Sequence, residues 1–360
     1  MRVLYVTTRQ WNPGDEFILA GSRRIVASAW GQPSVEAIYN KSPQVKSLFD
    51  RFNPLRNRSI GKLSGVFDSF VKLTEFDNSH SWFHDLEFYD AVVFAGSPAW
   101  FGGRVADLYK QLKDFPGKIL CLGIGTPNKR IEFSTAELSA LKSAQISVRN
   151  PELVDSLQKF GISSSYRPCP ALFAAANQRQ VESLESLAMV YTSDRGQRYQ
   201  AVSTEHYRKQ NSVFQQILDS RVADNTYIVC NYIDELERAQ ADFPGVEIRY
   251  SFDALSYENI LHDADLVVSS RVHGCGLASS MGIPNLHLGH DSRSSTVNGF
   301  LSERANASAP VDWIQENRFS LNRLSSRLRE HRELAFNSYL DWLGHGATVD
   351  ASPELDTAVC

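Results

Sequence analysis

Short apolar runs and helix-length amphipathic segments alternate along almost the whole chain. Clusters of β-branched and apolar residues predict strands at 3–7, 35–39, 91–95, 119–123 and 146–148. Segments with helical periodicity follow them at 16–29, 104–113, 134–142 and 151–160, the last with Pro151 at a favourable first position. The rhythm restarts after a polar stretch at 175–186. Strands are then predicted at 188–191, 226–230, 247–250, 266–269 and 285–288, with helices at 205–219, 232–242, 256–262 and 274–281. Strands alternating with helices make parallel sheets covered on both faces. The expected architecture is α/β, with two Rossmann-like doubly wound domains facing a cleft.

The expected boundaries are residues 1–174 and 187–310 for the two domains. A helix at 316–345, whose Leu321, Leu324, Leu328, His331, Ala335 and Trp342 share one stripe, is expected to pack across the junction, and 347–360 form a tail. One segment breaks the pattern. About fifty residues separate Tyr39 from Asp90 where a short crossover would serve. Between Lys41 and Lys72 seven Lys or Arg stand against two Asp, interleaved with Leu, Phe and Val. The insertion at 41–85 is expected to be an amphipathic helical element packed on its own domain. The alternative is a flap that meets an anionic acceptor or a membrane surface.

Composition narrows the partners. Of 360 residues 42% are hydrophobic and 22% charged, as in globular proteins with real cores, and the net charge of -4 argues against nucleic acid. No apolar run approaches a membrane span, and the first residues read as a strand rather than a signal peptide. Five scattered cysteines without a C-x-x-C pair imply a reduced compartment, so a cytoplasmic protein is expected.

The candidate chemistry gathers at strand ends, where open α/β sheets bind ligands. The run 266–268 leads into Ser269-Ser270-Arg271-Val272-His273-Gly274. Continuing the strand would point Arg271 and His273 the same way, offering a donor fork for phosphate or carboxylate beside a group that titrates near neutrality. Gly274 would let an anion approach a helix N-terminus. Asn12-Pro13-Gly14-Asp15-Glu16 follows the first strand in the same manner, and Ser147-Val148-Arg149 puts a further arginine at a strand end. Gly96-Ser97 and Gly123-Ile124-Gly125 are strand-end turns that fit backbone approach to a ligand, and Asp291 and Arg293 follow the last strand of the second domain. His80 and His84 have helical metal spacing but no evident third ligand, and no metal site is expected. The sequence contains no P-loop, G-x-G-x-x-G, G-x-S-x-G or H-E-x-x-H motif.

Together these blocks resemble the polysaccharide pyruvyl transferase family. The resemblance rests on Asn12 to Ile18, Gly123-Ile124-Gly125, Ser147-Val148-Arg149, Leu153 with Gly161, and Arg271-Val272-His273-Gly274 followed by Ala278 and Gly282-Ile283-Pro284. It implies two domains arranged as in GT-B glycosyltransferases, phosphoenolpyruvate as donor substrate with no further cofactor, and a sugar or lipid-linked oligosaccharide acceptor that becomes a pyruvate ketal. Arg149 and Arg271 match the family's anion-binding positions, with Ser270 and Gly274 beside them. His273 is expected to be the general acid and Asp15 a base or sugar contact. Asn12, Gly14, Gly96, Ser97, Gly123, Gly125, Asp291 and Arg293 are expected to line the cleft. The rival readings are a GT-B transferase using a nucleotide sugar and a non-catalytic sugar- or anion-binding relative.

Overall fold

A computed structural model describes residues 1–9, 12–41, 85–96, 103–125, 131–194, 202–289, 292–305 and 310–344. The first sheet holds β1 (Arg2–Thr7), β2 (Val35–Asn40), β3 (Ala91–Ala95), β4 (Lys118–Ile124), β5 (Gln145–Val148) and β6 (Ser165–Tyr166). The helices of this half are α1 (Pro13–Trp30), α2 (Gly103–Leu112), α3 (Thr135–Ser143) and α4 (Glu152–Gln158). The second sheet holds β7 (Ser186–Val190), β8 (Asn225–Val229), β9 (Glu247–Arg249), β10 (Leu266–Ser269), β11 (Asn285–His287) and β12 (Glu303–Arg304). Its helices are α5 (Thr204–Ser220), α6 (Leu236–Asp242), α7 (Tyr257–His262) and α8 (Val272–Ser280), after which come α9 (Pro310–Asn317) and α10 (Leu321–Gly344).

All strand pairs are parallel. The second sheet runs β12-β11-β10-β7-β8-β9, which is the Rossmann order 3-2-1-4-5-6 read from its other edge. The first runs β2-β1-β3-β4-β5-β6, the flavodoxin-like order with one more edge strand. Each order reverses once, between β1 and β3 and between β7 and β10. Ligands of doubly wound sheets bind outside the carboxyl ends of the strands at such a point. The turn into α1 and the turn into α8 leave from these two places.

The strands that flank the reversal are buried on both faces. Every residue of β3 and of β10 is buried, which is why they read as unbroken apolar runs rather than alternating ones. One apolar core lies on the far faces of the first sheet under α2, α3 and α4, and another lies under α5 and α6. The largest core is shared, joining Val3, Phe17 and Ile18 to Phe173, Val190, Cys275 and Tyr339. The 3₁₀ turn Pro170–Phe173 is buried in it. A Cβ on Gly21 of α1 would stand 1.7 Å from the Pro170 carbonyl oxygen, so this contact needs glycine.

Helix α10 ties both halves together. The Tyr339 hydroxyl donates to the Pro168 carbonyl at 2.8 Å and meets Ser147 Oγ at 3.2 Å. Near the other end of α10, Ser325 Oγ accepts from Val181 N and donates to the Gly282 carbonyl. Among the described residues no helix is long and apolar enough to cross a membrane.

Several features differ from the sequence expectation in detail. The helices expected at 232–242 and 256–262 each begin with a 3₁₀ turn, and the short edge strands β6 and β12 were not expected at all. The insertion between 42 and 84, with His80 and His84, and the tail from 345 onward lie outside the described residues.

Candidate functional site

Helix α1 begins where β1 and the loop after it leave the sheet edge. Asn12 is its N-cap and accepts from Gly14 N at 3.0 Å, Pro13 opens the first turn, and Asp15 and Glu16 complement the positive end of the helix. Arg9 donates to Glu16 at 2.6 Å, tying the loop to that turn. In the second domain β10 ends at Ser269 rather than continuing to His273. Ser269 Oγ accepts from Arg271 N and donates to the Arg271 carbonyl, closing a tight turn. Arg271 is therefore the N-cap of α8 and His273 its second residue. The shared side-chain direction expected from a strand is corrected by this turn, and the two side chains go to different places.

His273 faces the first domain. Its Nε2 lies 2.9 Å from Arg149 Nη1. On the other side its ring packs on α1 so closely that a Cβ at Gly14 would stand 2.2 Å from Nδ1. The N-termini of α1 and α8 thus converge on one imidazole, each with backbone N–H groups and a dipole that favour negative charge. Arg149 follows β5, is only 4% exposed, and has its N–H bonded to the Ile124 carbonyl. Its guanidinium lies over Gly125, where a Cβ would stand 2.6 Å from Nε, and Nη1 reaches Cys169 Sγ at 3.7 Å. Its Nε has no hydrogen-bond partner among the described residues. The next residue, Asn150, donates to Ser295 and Thr296 of the second domain.

Lys41, just past β2, completes this group. Burial lowers its pKa, Asp15 opposes that shift and Arg149 adds to it, so the three charges share one neighbourhood. Asp15 is thereby beside a cation at the start of α1. Sequence reasoning had left Lys41 in the basic insertion. Its position directly after β2, at the same sheet edge as Asn12 and Gly96, was the signal that could have found it.

Arg271 occupies a second cluster. Its Nη2 pairs with Glu235, its Nε donates to the Tyr191 carbonyl at 3.4 Å, and its guanidinium stacks 4.6 Å from the Tyr232 ring centroid. Glu235 is 1% exposed and also accepts from the N–H groups of Ser193, Asn231 and Tyr232. Burial alone would lower the Arg271 pKa, but the adjacent Glu235 outweighs it and the guanidinium stays charged. Glu235 was not found from the sequence, where it sits in an ordinary helical stretch. Ser270 is buried and its Oγ meets His206 Nε2 at 3.2 Å. Gly274 lies against Ser269 Oγ and its N–H bonds the Arg271 carbonyl.

Two of the strand-end glycines serve packing. Gly96 and Gly123 have φ of 88° and 67°, and they lie against Ile18 and Pro170 respectively. Ser97 and Asp291 lie outside the described residues, as does the side chain of Arg293. Among the described residues no group of three or more His, Cys, Asp or Glu side chains could hold a metal ion.

Beside this site a cleft of about 450 Å³ opens between the first turns of α1 and the loops after β8 and β9. Asn12 and Pro13 form one wall and Tyr232 lies in the other. The whole arrangement offers an anion two helix N-termini and a buried arginine, with an imidazole placed to move a proton.

The fold has relatives among solved structures. A structure from Listeria monocytogenes assigned as a UDP-N-acetylglucosamine 2-epimerase superposes with a TM-score of 0.53 at 13% identity, covering 94% of each chain. S. aureus MnaA in complex with UDP gives a TM-score of 0.51 at 12% identity, covering 93% of this chain and 97% of that one. At these identities the likeness concerns the GT-B-like fold. No curated protein matches the chain in sequence. The family model for polysaccharide pyruvyl transferase matches residues 12–292, from the cap of α1 through α8 and beyond, and the chain belongs to that family.

Proposed function

We propose that the protein is a cytoplasmic enzyme that transfers the pyruvyl group of phosphoenolpyruvate to a sugar of a cell-surface glycan, forming a cyclic ketal. The meeting of Arg149 and His273 at two helix N-termini carries this reading, in a chain of this family. The donor holds a phosphate and a carboxylate, which suit Arg149 and the helix ends. Once a donor anion accepts from Arg149, His273 Nε2 is free to carry a proton. The imidazolium then protonates the donor's methylene carbon, leaving a cation at the central carbon. One sugar hydroxyl adds there, the bond from that carbon to the phosphate oxygen breaks, and a second hydroxyl closes the ring. Asp15 accepts the two hydroxyl protons in turn and passes one back to the imidazole and the other to the departing phosphate. Arg271, its charge offset by Glu235, stands in the second domain at the other anion-binding position that the family resemblance implies.

A thermal-shift titration tests the donor. A ligand that binds only the native state raises its stability as its concentration passes the dissociation constant. Phosphoenolpyruvate is expected to stabilise the protein, and Arg149→Ala and Arg271→Ala to abolish the effect. The GT-B-like fold favours a nucleotide-sugar transferase as second reading. Stabilisation by UDP-, GDP- or CMP-sugars in place of phosphoenolpyruvate would select it.

A further inference from the structure

Seven large apolar side chains are well exposed among the described residues, and three of them, Ile233, Phe252 and Leu255, line this cleft. Phe252 is 81% exposed. Apolar side chains scattered singly over a surface need no explanation, but a group on one concave wall marks a binding site. The volume of about 450 Å³ falls within the range of small-molecule sites. Tyr250 meets Phe252 edge to face with centroids 5.2 Å apart, so the two rings form a corner rather than a closed stack. Tyr232 continues the aromatic wall toward Arg271.

The charges of the cleft point to the kind of occupant. Its two arginines are already engaged, Arg9 with Glu16 at 2.6 Å and Arg23 with Glu36 at 3.0 Å. Against them stand the carboxylates of Glu16, Asp234 and Asp253 on the same lining. Two cations against three anions give no attraction for a diphosphate. Aromatic faces beside carboxylate and amide acceptors suit a neutral ring with C–H bonds on one face and hydroxyls at its edge, which is a pyranose.

We propose that this cleft is the acceptor-sugar subsite. A neutral pyranose lays its C–H face in the corner made by Phe252 and Tyr250 and turns its hydroxyls toward Asp234 and Asn12. Asn12 stands two residues before Gly14, which packs on His273, so hydroxyls at that end approach the imidazole. This assignment rests on the pyruvyl-transfer reading for its role but not for its ligand class.

The test is saturation-transfer NMR on the full chain with methyl glucopyranoside, galactopyranoside, mannopyranoside and N-acetylmannosaminide, with and without phosphoenolpyruvate. Phe252→Ala removes the platform's exposed ring and Tyr250→Ala its half-buried one, and Phe319→Ala removes a ring as exposed as Phe252 on another surface. At least one pyranoside is expected to bind wild type and Phe319→Ala alike, about tenfold or more weaker in Phe252→Ala. The thermal shift with phosphoenolpyruvate is expected to be the same in all of them. Equal sugar binding in Phe252→Ala overturns the proposal, as does silence from every pyranoside. A UDP signal that replaces the sugar signal and vanishes in Phe252→Ala overturns it as well. Sugar binding as expected without any phosphoenolpyruvate shift upholds the subsite and overturns the donor reading.

Discussion

Arg149 Nη1 stands 2.9 Å from His273 Nε2, joining the end of β5 in one domain to the start of α8 in the other. A guanidinium has only donors, so Nε2 must be the acceptor and the ring proton sits on Nδ1, on the side of Gly14. The imidazole is then neutral while Arg149 occupies it. Long-range proton–nitrogen NMR should show the Nδ1–H tautomer at His273 in the ligand-free protein. Arg149→Ala should release it to the Nε2–H form that free imidazoles favour. The same Nδ1–H signature in that variant would mean that Arg149 does not set the tautomer.

Removal of the ring separates binding from chemistry. His273→Ala leaves Arg149 and both helix N-termini in place, so donor-induced stabilisation should persist. Turnover should fall by about 10²–10⁴, the usual contribution of a positioned acid or base. Phosphate release in the presence of acceptor is the assay, and wild-type rates in this variant would remove His273 from the mechanism.

Glu235 holds Arg271 through a carboxylate that is almost wholly buried and also accepts three backbone N–H groups. Taking away one partner of a buried pair leaves the other charge uncompensated, at a cost of about 3–5 kcal/mol. Glu235→Ala should lose stability of that order in urea denaturation, and Glu235→Gln, which keeps the shape and an acceptor oxygen, should lose less. With Arg271→Gln, a double-mutant cycle should give a coupling of about 2 kcal/mol or more. Additive effects would mean that the pair does not act as a unit.

The fold was legible because burial of both sheet faces writes itself as apolar runs. The run 266–268 of β10 is an instance, whereas the expected start of the first helix at residue 16 falls three residues late, because Asn12 is the N-cap and Pro13 opens the helix. The partition of the site was less legible. His273 and Arg149 are 124 residues apart in sequence, and only the packing of α8 on α1 brings them together. Arg271 and His273 are two residues apart, yet the turn closed by Ser269 separates their side chains. Period-two reasoning holds only while a strand lasts, and this one stops at Ser269. Glu235 carried no local signal, since its role arises from what folds onto it, and Lys41 was marked only by its position directly after β2.

Two glycines of α1 separate function from stability. At Gly14 an added Cβ meets the His273 ring, a side chain that can rotate away by giving up Arg149. At Gly21 it meets the backbone carbonyl of Pro170 at 1.7 Å, which cannot move without the shared core. Gly14→Ala should therefore lower turnover at least tenfold while the melting temperature changes little, helped by the lower chain entropy of alanine. Gly21→Ala should destabilise by about 1–3 kcal/mol or more, as overpacking does. Melting curves and turnover for the pair check the contrast, and it fails if both variants lose stability equally.

His331 gives the protein a pH dependence whose sign follows from its burial. It sits on α10 with its ring nitrogen Nε2 2.9 Å from the Gly299 carbonyl, so it donates there as a neutral ring. Burial lowers its pKa below the ordinary 6.5, the Gly299 bond opposes that shift, and Arg327 adds to it. Above pH 6.5 the ring is neutral in both folded and unfolded chains and contributes no pH dependence. As pH falls through 6.5 the unfolded chain takes up a proton that the folded one refuses, so stability declines until the lowered folded value is passed. The difference between wild type and His331→Gln is the quantity to measure. Melting temperatures taken from pH 7.5 down to 5.5 should fall more steeply for wild type than for the variant. Parallel curves would mean that His331 protonates as readily in the folded chain as in the unfolded one.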